Sequence, residues 1–184
     1  MKPVTETLAR FVTGTSYQDL PLPVVAAARS CILDWLGSAY AGSQETPTKI
    51  LLEIVEELGG SPEATLIPTV KRTSCLNAAL VNAASTHAVE MDDLARASIY
   101  HPAAPIIPAA LAAAERSHAD GQEFICAVVL GYEASMRIGE AISPSHYHYW
   151  HTTGTVGAFG AAVAAGVILK LDAERMVWAL GSAG

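Results

Sequence analysis

Apolar side chains recur every third or fourth residue through most of this chain, a rhythm that predicts helices. Residues 5–13 place Leu8, Phe11 and Val12 on one face. After the turn-rich Gly14-Thr15-Ser16 and Pro21-Leu22-Pro23, residues 24–40 align Val25, Ala28, Cys31, Ile32, Trp35, Leu36 and Ala39, and Gly42 closes that helix. Residues 48–58 are expected to turn Ile50, Leu51, Ile54, Val55 and Leu58 inward and to stop at Gly59-Gly60, with Glu53, Glu56 and Glu57 solvated. The stretches 64–68 and 69–72 suit at most a small β-hairpin. From Ser74, the residues Leu76, Leu80, Ala83, Ala84, His87 and Met91 trace one side of a helix that Met91-Asp92-Asp93 ends.

Further helices are expected over the alanine-rich 105–118, over 121–142 with Phe124, Val128, Tyr132 and Ile138 among its apolar positions, and from about 172 onward. Between the last two, Thr152 or Thr153 would cap a helix whose small-residue face is Gly157, Ala161, Ala164, Ala165 and Ile168. The expected fold class is all-α, a bundle-like helical domain over residues 1–184 with at most a short hairpin near 64–72. Ala179-Leu180-Gly181-Ser182-Ala183-Gly184 has no polar tail, so the reading is the N-terminal part of a larger helical domain, with no second domain present.

Composition narrows the partners. Hydrophobic residues make up 51% of the chain and aromatic ones 7%, which suits closely packed helices. A net charge of −7 without any Lys/Arg cluster argues against nucleic acid. Cys31, Cys75 and Cys126 are far apart in apolar surroundings and read as reduced core thiols of a cytoplasmic protein. The first residues lack the apolar core and cleavage site of a signal peptide. Residues 152–169 run 18 positions without a charge, but their glycines and alanines point to a buried helix and not to a membrane span.

Chemistry gathers at two places. Glu90, Asp92 and Asp93 end one helix shortly before His101-Pro102, and proline favours the first turn of the next. His146, His148 and His151 precede the glycine-rich helix, so His101 and His151 both stand beside helix starts, where free N–H groups favour anions. An imidazole there can give or take a proton beside a carboxylate, and the acidic cluster can orient it. The bland alternatives are a solvated helix end, loop histidines, and small residues that only let helices approach. The alternating histidines also suggest zinc, but a closed site wants four ligands, and none is assigned. Arg137 most simply pairs with Glu133 four residues earlier, with a carboxylate clamp as its second reading. His87, on an apolar face, reads as a core histidine, and His118 as a surface one.

In order and spacing, a set of segments resembles the MmgE/PrpD family over nearly the whole chain. They are Leu33-Asp34-Trp35-Leu36-Gly37, Asn77-Ala78-Ala79-Leu80-Val81-Asn82 with His87, Met91-Asp92-Asp93, His101-Pro102-Ala103-Ala104-Pro105, Gly131-Tyr132-Glu133, Arg137-Ile138-Gly139, and His151-Thr152-Thr153-Gly154-Thr155-Val156-Gly157. The resemblance implies a helical part of a metal-independent, cofactor-free lyase acting on small di- or tricarboxylates. Dehydration of a 2-methylcitrate-like acid leads, with decarboxylation or epimerisation beside it, and self-association as a homo-oligomer, a dimer, is expected. It implies His101, His151, Glu90, Asp92 and Asp93 as catalytic residues, with Thr152, Thr153 and Arg137 binding substrate. Glu90 stands where the family often has aspartate, and Leu94 where it often has threonine. Family members are longer, and the likeness stops before the segment that usually carries their catalytic lysine. A non-catalytic helical module that binds an anion or a partner chain is the reading from a different class.

Overall fold

A computed structural model describes residues 3–67, 69 and 71–184. The helices are α1 (Val4–Gly14), α2 (Leu22–Gly42), α3 (Thr46–Leu58), α4 (Cys75–His87), α5 (Ala103–Ser117), α6 (Gly121–Ile142), α7 (Thr152–Ile168) and α8 (Ala173–Ala183). Two short strands, β1 (Ala64–Thr65) and β2 (Arg72–Thr73), pair antiparallel with Ala64 opposite Thr73. The all-α expectation holds, and the hairpin is smaller than the stretch assigned to it; Pro68 and Val70 of that stretch lie outside the described residues.

The centre is α7, apolar on every side and packed against α6 and α5. Such a helix belongs in an interior. Its glycines let the neighbours close in: a Cβ on Gly160 would stand 2.6 Å from Ile106 Cδ1 of α5, and one on Gly131 of α6 would meet the Gly160 carbonyl oxygen at 2.9 Å. Tyr100, Ile106, Ile107, Ala127, Val128, Val156 and Ala164 form the main core. A second cluster joins α1 and α8 to α6 and α7 through Val12, Leu130, Val163 and Met176. Outward from α5 lie α4, then α2 and α3, with Val55, Leu66, Val81 and Ala112 between them.

Four local expectations change. The α7 N-cap is His151, because Thr152 and Thr153 already lie buried inside the first turn. Helix α5 begins at Ala103 and not near 105, since the Asp93 carboxylate accepts the Ala103 N–H and so caps it from a distant loop. Helix α4 ends at His87, ahead of the acidic residues. In α3, Val55 and Thr48 face inward, while Ile50, Ile54 and Leu58 are exposed. The Thr48 hydroxyl donates to the Gly42 carbonyl, which fixes that rotation.

Candidate active site

The site is built where α4 ends. His87 occupies its last position, and a tight turn follows in which Glu90 takes a left-handed φ of 48°. Next, Ala95 and Tyr100 pair backbone to backbone, folding the loop so that His101 returns to Asp92. Tyr100 is fully buried and its hydroxyl bonds Ser135 of α6, anchoring the loop to the core.

Asp92 is the hub. Its carboxylate is wholly buried, and its oxygens lie 3.3 and 3.4 Å from His87 Nδ1. One of them is also 3.6 Å from His101 Nδ1, which sits 3.3 Å from the Asp92 carbonyl oxygen as well. The ring centroids of His87 and His101 are 5.1 Å apart, and that of His151 lies 5.6 Å from His87. Two imidazoles, His87 and His101, thus meet one buried carboxylate, and the exposed His151 ring stands beside that of His87. A buried charge is tolerated only where it is paired, and here the imidazoles are its partners. A neutral ring donating from Nδ1 carries its proton there, which leaves Nε2 as the basic nitrogen.

Asp93 does a different job. One oxygen accepts the Ala103 N–H and the other the Tyr132 hydroxyl, each at 2.9 Å. Both are committed to structure, so Asp93 fixes the start of α5 against α6 and thereby the position of His101. Burial pushes its carboxyl above the ordinary value of 3.8, outweighing those two hydrogen bonds; the Asp92 and Asp34 charges push the same way. Burial, then the Asp93 charge, drives the Tyr132 phenol far above its ordinary range, so it remains a donor.

The start of α7 is tied in by Thr153, whose hydroxyl oxygen accepts the His101 N–H at 3.2 Å. Thr152 is fully buried, and its hydroxyl has no partner among the described residues. The N–H groups of Gly154 and Thr155 donate to the His151 carbonyl, while those of Thr152 and Thr153, the first two of α7, have no intrahelical acceptor, so this corner offers donors to an anion.

Of the residues singled out in sequence, His101, His151, Asp92, Asp93, Thr152 and Thr153 come together. Glu90 is exposed on the outside of its turn. Arg137 is exposed, pairs with Glu133, and borders a groove against Val4, Leu8 and Phe11 of α1 that no histidine lines. His87 is the member that sequence reasoning set aside. Its signal was there: it precedes Asp92 by five residues, at a helix end. His118 is exposed, as expected. No described helix is long and apolar enough to cross a membrane.

Residues 6–184 match the MmgE/PrpD N-terminal domain. The chain is 28% identical over 189 residues to the cis-aconitate decarboxylase-like protein oryM of Aspergillus oryzae (strain ATCC 42149 / RIB 40), covering 98% of this chain and 39% of that protein. It is also 28% identical over 187 residues to a cis-aconitate decarboxylase of Aspergillus terreus, covering 98% of this chain and 38% of the relative. The chain therefore spans about two-fifths of the length of these curated relatives. It belongs to the MmgE/PrpD family.

Proposed function

We propose that this MmgE/PrpD-family chain carries the acid–base part of a lyase site for a small di- or tricarboxylate. The observation behind this reading is the meeting of His87 and His101 at the buried Asp92, with the His151 ring beside His87, at the starts of α5 and α7. Asp92, in place of the exposed Glu90, orients the His87 and His101 rings. The N–H groups at the start of α7 and the Thr152 hydroxyl receive a substrate carboxylate. His101 and His151 move protons at the carbon next to it.

The relatives' names favour decarboxylation of a cis-aconitate-like acid. In that reaction the bond to one carboxylate breaks, carbon dioxide leaves, the electron pair stays on carbon, and an imidazolium delivers the proton that quenches it. Dehydration of a 2-methylcitrate-like acid is the second reading, favoured by two imidazoles on one site. One removes a proton from carbon while the other protonates the departing hydroxyl. Either reaction places a solvent-derived proton, or removes one, beside a carboxylate.

Incubation of the chain in D₂O with cis-aconitate and with 2-methylcitrate, followed by NMR, tests this. The expected result is deuterium on a carbon next to a carboxylate, with the rate falling by roughly 10²-fold or more in His101→Ala or His151→Ala. A helical, folded chain that exchanges nothing and forms no product overturns the proposal in favour of a binding module.

A further inference from the structure

We propose that His87, Asp92 and His101 also bind a divalent transition-metal ion, and that the ion competes with proton transfer at His101. The second clause rests on the function proposed above; the first stands on geometry alone. The three side chains offer two imidazole nitrogens and a carboxylate oxygen, all within 4.8 Å of one another. Asp92 Oδ1 lies 3.3 Å from His87 Nδ1 and 3.6 Å from His101 Nδ1. A tetrahedral ion with bonds of about 2.0–2.2 Å holds its ligand atoms roughly 3.3–3.6 Å apart, so the two edges from Asp92 are already set and the two imidazoles, within 4.8 Å of each other, close on the ion as it binds.

Charge points the same way. Among the described residues, Asp92 has histidines as its ionic partners and no lysine or arginine. No fixed side-chain cation therefore competes with a metal ion for this carboxylate, and two imidazoles beside it select zinc, cobalt or nickel over magnesium or calcium. The ligands are held from behind: the His101 N–H is bonded to Thr153, and Asp93, next to Asp92, is locked to α5 and α6. Three protein ligands leave one coordination position open. The histidine loop that sequence alone suggested for zinc is arranged otherwise, with His146 Nε2 on the Thr155 hydroxyl at 2.8 Å and His148 edge-on to Tyr149.

Metal on Nδ1 of His101 keeps the ring proton on Nε2, so that nitrogen can no longer accept one. Occupancy thus turns a general base into a fixed ligand, and the ion acts as a reversible inhibitor.

The test is a titration of the wild-type chain with Zn²⁺, read by NMR of its six histidine rings. The expected outcome is one-to-one binding that perturbs His87 and His101 before the others. Asp92→Asn and His87→Gln should each weaken Zn²⁺ binding by more than about tenfold, while His148→Gln leaves it unchanged. Co²⁺ should give the intense visible absorption of a four-coordinate site, and Zn²⁺ should displace it. Should Zn²⁺ perturb His146 and His148 first, or bind Asp92→Asn as tightly as wild type, the site is refuted. The wild-type spectrum decides the matter even where a variant fails to fold. If metal binds as described but the deuterium exchange with cis-aconitate proceeds unchanged, the competition is refuted and the site stands.

Discussion

Helices α7 and α4 have the same flat pattern and opposite fates. Neither shows a strong one-sided apolar stripe. Helix α7 is apolar throughout and lies between α5 and α6, with Val156, Gly157, Gly160, Val163 and Ala164 buried. Helix α4 lies further out, where it buries Asn82, Ser85 and Thr86 with Ala78 and Val81 and leaves Leu76 80% and Leu80 52% exposed. Its inner polar groups are all satisfied. Asn82 accepts the Ile67 N–H and donates to the Thr65 carbonyl, Ser85 donates to the Ala39 carbonyl, and Thr86 donates to that of Asn82. A flat pattern therefore does not say which side faces inward; the hydrogen-bond partners waiting there decide it.

The comparison breaks most visibly at Gly160. Valine there would drive its Cβ into Ile106, itself fully buried, and to 2.9 Å from the Ser135 hydroxyl. Overpacking of this kind should cost about 3 kcal/mol, measured as a lower urea midpoint at unchanged slope. A loss under roughly 1 kcal/mol would mean that α5, α6 and α7 separate easily and that close approach is not what holds the centre. Helix α4 answers to a different change. Asn82→Leu keeps the branched outline of the side chain but strands the Ile67 N–H and Thr65 carbonyl, for an expected loss of about 2 kcal/mol. Unaltered stability would show that the polar inner face is incidental.

The same contrast explains what could be read without coordinates. Helix positions followed from spacing, because spacing is a local property and capping signals such as Asp120 before α6 are local too. Rotation about the helix axis was less legible. In α3 the stripe of Ile50, Ile54 and Leu58 points outward, since the Thr48 hydroxyl and Val55 dock the other side. At the site, His101, His151 and the acidic pair stood out because titratable groups beside helix starts are chemically conspicuous. His87 did not, as its neighbours on α4 are apolar and its partner Asp92 reaches it only through the turn after the helix. The structural ties of Asp93 were not legible either, because only the fold brings Ala103 and Tyr132 to its two oxygens.

The smallest expected effect sharpens the comparison most. Leu76 is 80% exposed, so Leu76→Ala removes little buried area and should change the stability of the chain by no more than about 0.5 kcal/mol. That value assumes nothing covers the outer face of α4 in solution. Leu33, Leu36 and Tyr40 of α2 and Ile50 and Ile54 of α3, the helices packed on α4, are likewise exposed. If copies of the chain associate through this face, wild-type stability rises with protein concentration, whereas Leu76→Ala loses that dependence. Urea midpoints at two concentrations tenfold apart therefore separate the cases. Equal midpoints for both proteins mean that α4 turns its leucines to water, and a gap that opens only at the higher concentration means that its outer face, like that of α7, is an inner one.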